Sequence, residues 1–192
     1  MSLKILLAAL VVIAAIPAYP QVAPEASANG LPLTVGVGFS NYNSDWTGYL
    51  RGPMFWADWS LYQVHGLGIE AEGRDLNYGR NGGVPNLRID EAGGGPIYTF
   101  RPLFRGFVWP YGKYLAQFGS IDFTIPNVPN YHHDTRVVQT LGGGATVRAT
   151  QSILIRADYE YQFWPDLGHG GYLNPRGLTV GVAYNFRRHF DR

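Results

Sequence analysis

The sequence predicts an all-β fold: an eight-stranded, antiparallel, up-and-down β-barrel. Eight segments of about ten residues alternate apolar with small or polar side chains, at the period of two that a strand imposes. The composition is that of a turn-rich β protein. Of 192 residues, 25 are Gly, 15% are aromatic and only 15% are charged, against averages of roughly 7% Gly and 25% charged. The connections alternate between short turns and longer loops, which an up-and-down meander places at opposite ends.

The same composition excludes other classes. Disorder needs few aromatics and high net charge, and a helical bundle would not be built on Gly and Tyr. A formal net charge of +1 leaves no footprint for nucleic acid. The absence of cysteine excludes disulfides, thiolate metal sites and a Cys nucleophile.

At the N-terminus Lys4 precedes twelve residues, Ile5 to Ile16, without a polar side chain, and Pro17 and Pro20 follow. This reads as a secretory signal peptide over residues 1–20. Its helix would span about 18 Å, too short for a bilayer core of about 30 Å. Cleavage is expected between Ala18 and Ala28. The barrel is expected over 31–186, followed by a short tail, 187–192.

The first strand carries Leu33, Val35, Val37 and Phe39 on one face and Thr34, Gly36, Gly38 and Ser40 on the other. The second, near Met54 to Val64, opposes Phe55, Ala57, Trp59 and Leu61 to Trp56, Asp58, Ser60 and Tyr62. The third, Leu67 to Asn77, opposes Leu67, Ile69 and Ala71 to Glu70, Glu72 and Arg74. The fourth, Arg88 to Arg101, breaks the alternation at Asp90-Glu91 and Gly93-Gly94-Gly95, where a bulge would reset the register. The fifth, Val108 to Asp122, opposes Tyr114, Ala116 and Phe118 to Lys113, Leu115 and Gln117. The sixth, Arg136 to Thr150, opposes Leu141, Ala145 and Val147 to Thr140, Thr146 and Arg148. The seventh opposes Ile153, Ile155, Ala157, Tyr159, Tyr161 and Phe163 to Arg156, Asp158, Glu160 and Gln162. The eighth opposes Leu178, Val180, Val182, Tyr184 and Phe186 to Gly177, Thr179, Gly181, Ala183 and Asn185. Short turns are expected at His65-Gly66, 102–106 and Gln151-Ser152, and long loops at 41–51, 78–87, 123–135 and 165–176.

Parity does not say which face is inside, and a soluble secreted barrel binding an apolar ligand stays open on that ground. Three features place lipid outside. The polar face is rich in Gly, Ser, Thr and Ala, which suits a narrow lumen. Its charges nearly balance: Asp58, Glu70, Glu72, Asp90, Glu91, Asp158 and Glu160 against Arg74, Arg88, Lys113, Arg136, Arg148 and Arg156. The lumenal network is expected from Asp58, Glu70, Glu72, Arg74, Arg148, Arg156, Asp158 and Glu160. Aromatics near strand ends, namely Phe39, Tyr42, Phe55, Tyr98, Phe100, Phe163, Tyr184 and Phe186, suit interfacial girdles. The lipid-facing set is then Val35, Val37, Phe55, Trp59, Ile69, Ile155, Tyr159, Val180 and Val182.

Three stretches carry a resemblance: Gly142-Gly143-Gly144-Ala145-Thr146-Val147-Arg148, Ile153-Leu154-Ile155-Arg156-Ala157-Asp158-Tyr159-Glu160-Tyr161, and Gly177-Leu178-Thr179-Val180-Gly181-Val182-Ala183-Tyr184-Asn185-Phe186. Together they resemble the small outer-membrane β-barrel family, which includes the outer membrane protein A transmembrane domain and opacity-type proteins. The resemblance implies a monomeric barrel in the cell outer membrane of a Gram-negative-type bacterium, with periplasmic termini. It also implies outer-membrane lipid, the outer-membrane assembly machinery and periplasmic chaperones as partners. That machinery reads a last strand of alternating apolar residues ending in an aromatic, which Val180, Val182, Tyr184 and Phe186 match. The tail Arg187 to Arg192 departs from the pattern.

No catalytic, metal or cofactor site is expected. The five histidines, His65, His132, His133, His169 and His189, fall in turns, loops or the tail. Tyr131-His132-His133-Asp134 could invite a metal, but neighbours on a strand point apart. Arg156, Asp158 and Glu160 share a face as a salt-bridge set rather than an acid–base pair. The expected role is structural, or surface contact through the loops, with a plugged lumen; a narrow pore for small solutes is the alternative. One prediction separates the faces. Val182→Arg should cost about 2–4 kcal/mol if position 182 faces lipid near the midplane, with a dependence on bilayer thickness measured by urea unfolding in vesicles. Thr179→Arg should fail by crowding, without that dependence.

Overall fold

The computed structural model describes residues 33–45, 48–61, 66–78, 87–123, 132–167 and 171–186. The expected signal peptide and tail, and Tyr131, His65, His169 and His189, lie outside the described residues. The strands are β1 (Leu33–Asn43), β2 (Tyr49–Ser60), β3 (Leu67–Tyr78), β4 (Leu87–Thr99), β5 (Val108–Phe123), β6 (His132–Arg148), β7 (Ile153–Leu167), β8 (Gly171–Leu173) and β9 (Arg176–Asn185). Each barrel strand pairs antiparallel with its neighbour, and β9 pairs with β1 from Thr34↔Asn185 to Asn43↔Arg176, so the sheet closes. Eight strands make the wall; β8 is a three-residue addition on the end of β7.

Over the paired registers, closure removes the open edges of the sheet. It also gives two ends. Both described termini sit at the end of the short turns, where Phe186 N donates to Leu33 O at 2.9 Å. Turn 149–152 is held by Ile153 N donating to Thr150 Oγ1 at 3.0 Å. Residues 104–106 form a 3₁₀ turn.

Several boundaries differ from the sequence reading. β2 starts at Tyr49, not near Met54, so the first loop shrinks to 44–48, closed by Ser44 N donating to Gly48 O at 2.9 Å. Pro53, beside a Gly, hides the strand's alternation there, but on the wall it pairs opposite Phe39. β6 starts at His132 and β7 runs to Leu167, so the walls rise further at the loop end than local periodicity showed. β4 has no bulge: its register runs unbroken from Leu67↔Tyr98 to Asn77↔Arg88. Leu87, Ile89, Glu91 and Ile97 face the lumen and Arg88, Ala92 and Tyr98 face out. The alternation is obscured, not reset, because Gly93, Gly94 and Gly95 have no side chains to reveal it.

The lumen is filled by pairing large with small. The Trp56 indole lies over Gly36, Gly38 and Gly181 of β1 and β9, Trp164 over Gly119, and Tyr42 over Gly177. A Cβ at Gly36 would overlap the Trp56 ring. Gly36→Val should therefore overpack the wall and lower stability by about 1–3 kcal/mol. Urea unfolding in lipid vesicles measures it. Adding Trp56→Ala should recover part of the loss, whereas an unchanged double variant would mean that the indole is not the obstacle.

Candidate functional site

The polar side chains converge in the middle of the lumen. On β3, Glu70, Glu72 and Arg74 stand at i, i+2, i+4 on one face, and on β7 Arg156, Asp158 and Glu160 do the same. The two strands are four places apart around an eight-stranded ring, so they face each other across its diameter. Arg156 forks onto Glu70 at 2.8 and 2.9 Å, and Arg74 reaches Glu160 at 2.8 Å and Glu72 at 2.5 Å. Lys113, from β5 midway between them, meets Glu70 at 2.8 Å, Glu72 at 2.7 Å, Asp158 at 3.3 Å and also Glu160. Tyr42 donates to Glu160 at 2.6 Å, and Tyr111 donates to Asp158 at 2.8 Å.

Charge-assisted bonds of this kind are the strong ones, and here no water competes: the side chains of Glu70, Glu72, Arg74, Lys113 and Glu160 have no exposed surface. The guanidinium of Arg74 also stacks on Tyr42 at 4.5 Å and that of Arg156 on Tyr111 at 4.6 Å and Trp56 at 4.9 Å. Above this layer, towards the loops, Gln162 donates to Glu91 at 2.7 Å and Thr140 to Gln117 at 2.5 Å. Higher still, Leu50, Leu76, Leu87, Ile89, Ile121, Val138, Trp164 and Leu173 form a buried apolar cluster with Tyr42.

Seven of the eight residues expected in the lumenal network meet in this layer or at its edge. Asp58 is the edge member, 3.5 Å from Arg156. Arg148 shares the lumenal face but stands one residue pair nearer the turns, over the Trp109 ring at 4.8 Å. The near balance of seven acids and six bases does not carry inside. Asp90 and Arg88 face out, where Arg88 bridges Asp75 and Asp90, each at 3.1 Å. Arg136 pairs with Asp134 at 3.1 Å at the loop end. Six carboxylates, Asp58, Glu70, Glu72, Glu91, Asp158 and Glu160, thus share Arg74, Lys113 and Arg156.

Lys113, Glu91, Tyr42 and Tyr111 join the layer in addition to the residues expected from the sequence. Lys113 stood on the polar face in the sequence; Glu91 was hidden by the unread parity of β4. Tyr42 is a correction: placed among the girdle aromatics, it is fully buried in the lumen. Its parity is that of Gly36 and Ser40, and the sequence carried that signal. The nine residues Val35, Val37, Phe55, Trp59, Ile69, Ile155, Tyr159, Val180 and Val182 all point outward, 41–59% exposed. Tyr184 and Phe186 do too, with ring centroids 4.8 Å apart. His133 lies on the outside, 2.5 Å from Asp122, while Asp134 turns to Arg136. Among the described residues no group of three His, Cys, Asp or Glu could hold a metal ion.

A closed barrel, apolar outside and charged inside, defines a transmembrane β-barrel protein. The family model described as outer membrane protein beta-barrel domain matches residues 6–186, and the chain belongs to that family. It is a bacterial outer-membrane protein. Solved structures share the fold. Neisserial surface protein A superposes with a TM-score of 0.61 at 15% identity, over 80% of this chain and 96% of that one. The attachment invasion locus protein Ail of Yersinia pestis gives 0.55 at 17%, over 82% and 99%. OprG of Pseudomonas aeruginosa gives 0.55 at 9%, over 83% and 98%. Among curated proteins, laccase-2 of Podospora anserina is 25% identical over 174 residues; the match covers 73% of this chain but only 27% of that protein's length. Nothing of that protein's activity is carried over.

Removing one partner of a buried ion set leaves uncompensated charge, at a cost of about 3–5 kcal/mol. Lys113→Met should lower the urea midpoint in vesicles accordingly. Arg88→Ala, whose side chain is 46% exposed, should cost under about 1 kcal/mol. Equal effects of the two would mean that the lumenal layer does not hold the barrel.

Proposed function

We propose that the barrel is closed to solutes and serves as a membrane-embedded support, with its role in surface contact at the loop end. The observation that carries this reading is the buried layer spanning the lumen, from Arg156–Glu70 through Lys113 to Arg74–Glu160. A solute crossing the lumen would have to break several charge-assisted bonds at once and part the apolar cluster above them. The turn end, where the described chain enters at Leu33 and leaves at Phe186, faces the periplasm, and the opposite end of the barrel faces the exterior.

Outer-membrane lipid surrounds the apolar outer face, and the chain works as a monomer. Periplasmic chaperones deliver it to the assembly machinery, which reads Val180, Val182, Tyr184 and Phe186 on β9. One of the structures with the same fold is named for attachment and invasion; contact between the loop end and a surface is the corresponding role here. Planar-bilayer recording tests the closed lumen. The purified barrel should insert without unitary current steps, and the Lys113→Met barrel should be no quieter than the native one. Steady, ion-selective steps from the native protein would replace this reading with that of a narrow pore.

A further inference from the structure

On the turn side of Arg156 the lumen widens into a cup of about 1100 Å³ that opens at the turn end. Small-molecule sites commonly hold roughly 300–1,000 Å³, so the cup is roomy enough for one ligand with part of it emerging. Its walls combine indoles with charge: Trp56 and Trp109 line it, and Arg101, Arg105, Arg148 and Arg156 face it against one carboxylate, Asp58, among the described residues. Arg156 is committed to Glu70 and Asp158. Arg148 lies over the Trp109 ring at 4.8 Å, so that ring and cation are presented together. Arg105 is exposed at the rim, on the 3₁₀ turn.

The inner wall carries a second, independent sign. Among the described residues one buried polar atom there has no hydrogen-bond partner, Trp56 Nε1; beside it Asp58 lines the cup with a side chain that is 23% exposed. Trp56 is only 3% exposed. The two residues are i and i+2 on β2, so the wall offers a donor and an acceptor next to each other. A buried polar group without a partner is destabilising, and a ligand supplying that partner would relieve it. A hydroxyl group suits the pair, because it accepts from an N–H and donates to a carboxylate at once.

We propose that the cup binds an anionic saccharide. Ring hydroxyls engage Trp56 Nε1–H and the Asp58 carboxylate, the apolar face of the sugar ring lies against an indole, and a carboxylate or phosphate substituent meets the rim arginines. The arginines require the negative charge, the donor–acceptor pair requires hydroxyls, and the indoles require a flat apolar face; a simple anion or a simple lipid chain meets one of these three. That the ligand arrives from the periplasm rests on the orientation proposed above, but the binding itself does not.

The test uses the folded barrel in detergent micelles, with calorimetric and tryptophan-fluorescence titrations. Three probes are compared: N-acetylmuramic acid, which carries a carboxylate; N-acetylglucosamine 6-phosphate; and neutral N-acetylglucosamine. At least one of the acidic sugars should bind saturably. The neutral sugar should bind about tenfold more weakly, the loss of about one charge-assisted hydrogen bond. The preferred anion distinguishes a cell-wall glycan, which carries carboxylates, from a phosphorylated glycan of a lipid headgroup. The double variant Arg105→Gln/Arg148→Gln should erase the preference for the acidic sugar, and Trp56→Phe should weaken all three. Heat-modifiable gel migration confirms that each variant is folded. Should Trp56→Phe not fold, the arginine variant decides alone. No saturable binding, equal binding of neutral and acidic sugars, or an unchanged preference in the arginine variant each overturns the proposal. Bilayer recording on the same preparation keeps the outcomes separate: a conducting barrel that binds acidic sugars refutes the closed lumen and leaves the cup standing.

Discussion

Burying three cations inside a ring eight strands wide is the constraint on which the rest of this structure depends. Each ion taken from water costs several kcal/mol after relaxation, and only good geometry offsets it. The barrel achieves that geometry by symmetry of position: β3 and β7 lie across the ring, each presents acids and a base on one face, and Lys113 reaches in from β5 between them. Arg156 grips Glu70 with a two-pronged contact, and Arg74 returns a single bond to Glu160. The network also polices register. A slip of one residue would turn every side chain of a strand to the opposite face. For β5 that would send Lys113 into lipid and leave four carboxylates inside without it.

Space is the second constraint, and glycine answers it. A small lumen cannot hold indoles from one strand unless strands close beside it give way. β1 and β9 give way to Trp56, β5 to Trp164 and β9 to Tyr42. The high glycine content that reads in the sequence as turns and tight walls is thus partly a set of seats for particular rings. Those rings in turn shield the guanidiniums, with Arg74 on Tyr42 and Arg156 between Trp56 and Tyr111. Packing and electrostatics are in this way one arrangement, with the aromatics serving both. Towards the loops the lumen ends in an apolar cluster; towards the turns it opens into the cup.

Much of this was legible residue by residue. Period two on β7 identified Arg156, Asp158 and Glu160 as one face, and the same parity on β3 identified Glu70, Glu72 and Arg74. The outward residues Val35, Phe55, Ile155 and Val182 followed from the complementary parity. Where the signal failed, the reason was local. Three consecutive glycines on β4 left no side chains to show its phase, so Glu91 was not placed in the lumen. Pro53 and its neighbouring Gly hid the first turn of β2. Tyr42 was grouped by residue type with the interfacial aromatics, although its parity put it inside.

By itself the sequence determined the fold class, the number of wall strands and which side chains share a face; the expected alternation of short and long connections did not hold, since 44–48 is shorter than the connections 61–66 and 100–107 at the other end. The features that held are consequences of a two-residue repeat and of turn chemistry, and both are local. Only the tertiary structure decided which charges meet. The pairing of Arg156 with Glu70 spans 86 positions in the chain, and nothing in either strand specifies the other. Closure of β9 onto β1 sets the ring, the ring sets which strands stand opposite, and that opposition turns two separate stripes of charge into one network. It also decided which charges stay out. Arg88 and Asp90 belong to the same strand as Glu91 yet face the other way, so the buried layer sets six carboxylates around three cations, with Arg148 apart from it, rather than the near-balanced set that counting implied.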